Sequence, residues 1–173
     1  MQQPEKHTSP DAQFTHAHMV RFDRLLPGPT DKVWTVLTDT RWLPGWYGEG
    51  VIEPQVGGKV ELMAGHIKGV VTQWRPPQKL AYTWNVFNPG DSDSPYPESY
   101  LTLTLAPKEP GETVLTLEHL PVLERFVRLN AMGWHSYLDM VEAAMRGQPV
   151  EPRQTYMTRN AKRYGIDLAN PLA

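Results

Sequence analysis

The stretch Arg75–Trp84, RPPQKLAYTW, constrains the fold of this chain more than any other feature of its sequence. Proline lacks the N–H that a sheet ladder needs, so two consecutive prolines end one strand and turn the chain. Leu80, Tyr82 and Trp84 then recur at every second position, the period of a strand with one buried face. The pattern therefore predicts a strand that turns two large aromatic rings toward the interior.

A long amphipathic helix is predicted further along the chain, over about 123–146. Its apolar residues recur at intervals of three and four, the spacing of one buried helix face; they are Leu123, Val127, Ala131, Trp134, Leu138, Val141 and Met145. Gly147 and Pro149 provide the stop, since glycine adopts a left-handed cap and proline does not continue a helix. We expect Trp134 to face the aromatic strand.

The first fifty residues predict a strand at about 17–25, then a helix that begins near Pro29 and ends near Asp39. Trp42 and Trp46 follow, in a short helical segment that a Pro-Gly pair interrupts. The residues of the first strand that we expect to turn inward are Met19 and either Phe22 or Leu25.

Six later stretches alternate apolar and polar residues and are separated by short turns rich in glycine and proline. They cover about 51–53, 59–63, 66–75, 79–87, 99–106 and 113–120. These spacings predict an antiparallel meander and, with the first strand, a sheet of about six to seven strands. A curved sheet around the C-terminal helix is an α+β fold, with an interior space between the two layers.

Composition narrows the classes of function. The formal net charge is −2 and there are no cysteines, so a phosphate-binding surface, disulfides and thiolate chemistry are all disfavoured. No apolar run approaches the length of a membrane span. We expect a cytoplasmic protein that has no nucleic-acid partner and no membrane partner.

The sequence predicts one domain with two tails. Residues 1–16 are predicted to form a disordered arm, 17–147 the domain, and 148–173 a C-terminal tail with a short helix. His7, His16 and His18 are irregularly spaced, and no carboxylate pattern accompanies them, so we expect no metal site.

Four segments in this order resemble one known family. They are VWTVLTDTRWLPGWY, GVVTQWRPPQKLAYTW, ESYLTLTLAPKEPGETVLTLEHL and GWHSYLDMV. Together they resemble the activator of Hsp90 ATPase homologue-like (AHSA1-type) family of the SRPBCC, or START-like, superfamily. The resemblance covers about 17–146. It implies the helix-grip (START-like, Bet v 1-like) fold, with a cavity between the concave face of the sheet and the C-terminal helix.

The same resemblance offers three functions. Relatives bind lipids, hormones or polyketides, a few are cyclases or hydrolases, and the co-chaperones bind Hsp90. We expect this chain to bind a small apolar or aromatic molecule in its cavity, without a cofactor. The alternatives are a cyclase or hydrolase and an Hsp90-associated module. The Hsp90 role is less favoured because the chain lacks the extra N-terminal domain of the full eukaryotic activator. A homodimer is compatible with the family, although no residue pattern demands one.

The candidate ligand-binding residues are mostly aromatic, and they come from the first helical region, the aromatic strand and the long helix. They are Trp42, Trp46, Tyr82, Trp84, His119, Trp134, Tyr137 and Leu138. Large aromatics line ligand pockets but equally fill the gap between a sheet and a helix. The sequence leaves both readings open.

His119 is the polar residue of most interest. It shares strand parity with Leu115 and Leu117, so its imidazole is expected to face the interior. There it would orient a ligand, or act as a general base as the one weak catalytic candidate. The alternative is a structural histidine whose hydrogen bonds are satisfied by a core hydroxyl such as that of Tyr137.

Overall fold

One curved, seven-stranded antiparallel sheet and three helices make up the computed structural model, which describes residue 12 and residues 16–172. The strands are β1 (His18–Pro27), β2 (Gly50–Ile52), β3 (Lys59–Leu62), β4 (Ile67–Arg75), β5 (Lys79–Val86), β6 (Ser99–Lys108) and β7 (Glu112–Val122). The helices are α1 (Thr30–Thr38), α2 (Val127–Met145) and α3 (Arg153–Tyr164). Apart from residues 12 and 16, the expected N-terminal arm lies outside the described residues, and so does His7.

The strand order is β1-β7-β6-β5-β4-β3-β2, so the six later strands form a meander and β1 adds to its far edge. This confirms the predicted α+β helix-grip architecture. At the Pro76-Pro77 turn, the N–H of Gln78 donates to the carbonyl of Arg75 at 2.7 Å. Beyond it, Leu80 and Tyr82 are buried on the concave face, as the two-residue period predicts.

The predicted inward set of β1 is wrong at Met19, and of the two alternatives Phe22 and Leu25 it is Phe22 that is half-buried against the core. Met19 and Leu25 are exposed, whereas Val20 and Leu26 are buried. The parity is set partly by Arg24, which turns inward and donates to Asp139 of α2 at 2.9 Å. Because an inward position is occupied by a charged residue, the alternation of apolar and polar residues does not reveal the buried side of β1. The pairing of β1 with β7 also shifts register between His18 and Val20.

The helix α2 lies across the concave face of the sheet and buries Trp134, Leu138 and Val141. It begins four residues later than predicted, because Leu123 is extended and a short 3-10 turn, Glu124–Phe126, precedes it. On its other side α3 buries Tyr156, Asn160 and Ala161. Among the described residues, no helix combines the length and the apolar character needed to cross a membrane.

The close packing of β4 on β5 at Gly69 predicts that a larger residue there lowers the stability of the fold. A Cβ placed there would meet the backbone carbonyl oxygen of Thr83 on β5, which cannot move without disturbing the ladder. We expect Gly69→Ala to lower the free energy of unfolding by about 2 kcal/mol or more, measured by urea denaturation.

The matched control is Gly133→Ala in α2, where an added Cβ meets nothing within 4 Å. Helix propensity predicts that this change raises the free energy of unfolding by up to about 1 kcal/mol. Equal effects of the two substitutions would contradict the described packing of β4 on β5.

Candidate functional site

A pocket of about 390 Å³, partly open to solvent, lies between the concave face of the sheet and the first half of α2. Its walls come from β5, β7, α2, the β5–β6 loop and the segment that joins β7 to α2. Most of the wall is apolar, and its aromatic members are Tyr47, Trp84, Tyr96, Phe126, Trp134 and Tyr137. Among the described residues, no Asp, Glu, Lys or Arg lines it.

His119 lies at the back of this pocket and is 1% exposed. The indole N–H of Trp134 donates to its Nδ1 at 3.0 Å, and the amide of Asn130 contacts the same nitrogen at 3.0 Å. An indole N–H is only a donor, so Nδ1 is an acceptor and the hydrogen of the neutral ring is on Nε2. Nε2 therefore donates to Ser99 Oγ at 2.9 Å, and Ser99 donates onward to the carbonyl of Trp84 at 2.7 Å.

This network makes His119 a neutral, fully hydrogen-bonded residue. Burial lowers the pKa of His119 to about 4, so the imidazole is uncharged near neutral pH. Its hydrogen-bond partners include no carboxylate. The core hydroxyl that satisfies it belongs to Ser99 and not to Tyr137, whose own hydroxyl is 3.7 Å from the sulfur of Met63.

Tyr47 is a wall residue that the sequence reading missed. Its ring is 1% exposed and stacks between Trp46 and Trp134, with centroid distances of 5.1 and 5.6 Å. Its hydroxyl accepts a hydrogen bond from the indole N–H of Trp84 at 2.8 Å. Burial raises the pKa of Tyr47 well above its usual range, so the phenol keeps its proton.

Four of the eight candidate residues line the pocket: Trp84, His119, Trp134 and Tyr137. Of the rest, Leu138 and Tyr82 are buried in the surrounding core. Burial raises the pKa of Tyr82, so its phenol keeps its proton.

Trp46 and Trp42 do not line the pocket either. The Trp46 indole N–H donates to the carbonyl of Val36 at 2.9 Å, which turns this ring toward α1. Trp42 is 43% exposed, beside the 3-10 turn Leu43–Gly45. These two candidate residues are thus separated: Trp46 is a core residue and Trp42 is a surface residue.

A different aromatic pair borders the pocket. Tyr96 of the β5–β6 loop and Phe126 before α2 pack edge to face, with ring centroids 5.1 Å apart. The guanidinium of Arg125 lies over the Phe126 ring at 4.8 Å. A single aromatic residue within the polar loop NPGDSDSPYP was the available signal for Tyr96. Within the described part of the chain, no group of three His, Asp or Glu side chains is placed to hold a metal ion.

Comparisons with known proteins agree with this architecture. The family model described as activator of Hsp90 ATPase homolog 1-like protein matches residues 27–146. A comparison with curated proteins finds no match.

Solved structures include CalU16 from Micromonospora echinospora, with a TM-score of 0.69 and 24% identity over 86% of this chain and 87% of that one. Protein MLL2253 from Mesorhizobium loti has a TM-score of 0.66 and 25% identity over 76% of this chain and 99% of its own. The HSP90 activator PFC0360w from Plasmodium falciparum has a TM-score of 0.60 and 20% identity, covering 76% and 97%. The likeness to CalU16 and to PFC0360w shows a shared fold alone.

The burial of neutral His119 predicts a pH dependence of stability. Its folded pKa of about 4 lies below its usual 6.5, so the unfolded chain binds the proton more tightly. The stabilisation from neutral His119 is fully present above about pH 6.5 and is lost progressively as the pH falls toward 4. Over that window we expect wild type to lose about 3 kcal/mol more than His119→Gln, measured by urea unfolding.

The pKa of His135 is also lowered, but that residue is present in both proteins and its effect cancels in the difference. Nuclear magnetic resonance titration of the His119 imidazole provides an independent midpoint. Parallel stability curves for wild type and His119→Gln, or a midpoint near 6.5, would contradict the buried neutral ring.

Proposed function

We propose that this chain, which belongs to the activator of Hsp90 ATPase homolog 1-like family, binds a small, uncharged, apolar or aromatic molecule between the sheet and α2. The observation that carries the proposal is the pocket of about 390 Å³ with aromatic walls and no Asp, Glu, Lys or Arg among its described lining residues. Small-molecule sites are typically concave, mostly apolar and supplied with few polar groups. The binding unit that we propose is residues 17–147, which contains every wall residue.

The absence of charge from the described wall favours an uncharged ligand. A charged group that enters an apolar pocket loses its hydration, and without an ionic partner this loss is costly. The two indole N–H groups of the wall, those of Trp84 and Trp134, already have protein acceptors. The ligand therefore gains mainly from ring contact and from burial of apolar surface.

Each proposed wall residue has a distinct role. Trp84 on β5 and Trp134 on α2 provide large apolar surfaces from the two layers of the fold. His119 packs edge to face against Trp84, with centroids 4.7 Å apart, and holds Trp134 through its Nδ1. Tyr47 and Tyr137 complete the aromatic wall. His119 is thus a positioning residue in this proposal.

Acid–base catalysis through His119 has less support than binding. Both ring nitrogens are engaged in protein hydrogen bonds. Two carboxylates near His119 in the sheet are also not available to it: Glu118 accepts from Arg21 at 2.7 Å, and Glu98 is exposed. A general base needs a free lone pair within reach of its substrate.

An Hsp90-associated role also has less support. It would be favoured by surface aromatics in the first helical region together with a filled interior. Trp42 is exposed, but Trp46 is buried, and the interior contains the pocket. The solved HSP90 activator shares the fold at 20% identity, which does not transfer its partner to this chain.

A matched pair of fluorescent probes tests the proposed ligand class. N-phenyl-1-naphthylamine and 8-anilinonaphthalene-1-sulfonate share their rings and differ by one sulfonate. We expect the neutral probe to bind at least about tenfold more tightly, because no Lys or Arg side chain of the described wall is available to pair with the sulfonate. Fluorescence titration measures both dissociation constants.

Single substitutions locate the neutral probe. Trp84→Ala and Trp134→Ala should each weaken its binding by about tenfold or more, since each removes a large wall surface. Trp42→Ala is the control, because that ring is exposed and outside the pocket, and it should leave the affinity unchanged. Equal losses in all three variants, or tighter binding of the sulfonate, would count against the proposed site.

A further inference from the structure

The hydrogen bonds around the pocket have a fixed direction, which follows from donor-only groups. The indole of Trp84 can only donate, so the Tyr47 hydroxyl oxygen accepts at 2.8 Å. The hydrogen of that same hydroxyl must point elsewhere. No described residue offers it an acceptor within hydrogen-bond distance.

Tyr47 thus holds an unused donor in a buried position on the pocket wall. The residue is 1% exposed, and its hydroxyl lies beside Trp84, another wall residue. The Tyr47 ring is fixed by stacking against Trp46 and Trp134 and by an edge contact with Tyr137 at 4.9 Å. The ring is therefore not free to turn this donor toward solvent.

We infer that Tyr47 selects ligands that carry a hydrogen-bond acceptor, such as a carbonyl or ether oxygen, on an otherwise apolar ring system. The inference rests on the proposed binding function and makes its ligand class narrower. A hydrocarbon in the pocket leaves the Tyr47 hydrogen unpaired, whereas an acceptor satisfies it. A site built to pair a polar group discriminates against an analogue that lacks the complementary group.

The test uses 9-fluorenone and fluorene, which share one three-ring skeleton and differ by a carbonyl in place of a methylene. Neither probe has a hydrogen-bond donor, so the unpaired buried oxygen of Asn130 does not distinguish them. Competition against N-phenyl-1-naphthylamine gives both dissociation constants. We expect Tyr47→Phe to lower the ketone-to-hydrocarbon affinity ratio about tenfold while fluorene affinity is retained.

Two controls isolate the hydroxyl. Tyr156→Phe removes a buried tyrosine hydroxyl in α3, outside the pocket, so the affinity ratio should be unchanged. Tyr47→Phe also leaves the Trp84 N–H without its acceptor, so the comparison is repeated in a Trp84→Phe background. The ratio should fall there too. Isotope-edited infrared spectra of bound fluorenone should show a lowered carbonyl frequency that Tyr47→Phe restores.

The possible results distinguish the role of Tyr47 from the proposed binding function on which it rests. A ratio that falls with Tyr47→Phe, together with the loss of the infrared shift, supports the assignment. If both probes bind and Tyr47→Phe does not change the ketone-to-hydrocarbon affinity ratio, the role of Tyr47 is overturned. The proposed binding function is then unaffected. If the wild type binds none of the three compounds, 9-fluorenone, fluorene and N-phenyl-1-naphthylamine, the proposed binding function itself is overturned.

Discussion

The hydrogen-bonded imidazole of His119 is the interaction on which the arrangement of the pocket depends. It joins β7, on which it lies, to Trp134 of α2 and, through Ser99 of β6, to the backbone of β5 at Trp84. An unpaired polar group in a buried environment destabilises the folded state, so each member of the network is hydrogen-bonded to another. A neutral histidine meets this demand with one donor and one acceptor.

The same network accounts for an open space in a protein rich in large side chains. Trp84 and Trp134 are held by their indole N–H groups, one to Tyr47 and the other to His119. Fixed in orientation, the two rings act as walls and do not rotate to fill the space between sheet and helix. The stability that buried hydrogen bonds provide and the shape of the pocket therefore have one physical origin.

The fold was largely predictable because its signals are local. The turn after Arg75, the alternation in β5 to β7 and the three-four spacing of α2 follow from short windows of sequence. The inward placement of His119 also followed from strand parity. By contrast, the inward side of β1 depends on Arg24 meeting Asp139, a contact between residues far apart in the chain.

The candidate site was only partly predictable, because several of its contacts join residues that no short window of sequence contains. Tyr47 follows the 3-10 turn Leu43–Gly45, and its N–H and that of Gly48 both donate to the carbonyl of Leu43. Helical spacing alone does not contain that geometry. Tyr96 and Phe126 meet across two separate loops, and loop encounters leave no periodic signal in sequence.

The most direct test of the central claim, that a neutral ligand occupies the space between sheet and α2, uses the indole N–H resonances of the six tryptophans. Nitrogen-15 spectra recorded during titration with N-phenyl-1-naphthylamine report all of them at once. A ligand in this space should produce saturable shifts at Trp84 and Trp134 and leave Trp42 unaffected. Shifts centred on Trp42, or no saturable change at Trp84 and Trp134, would contradict this claim.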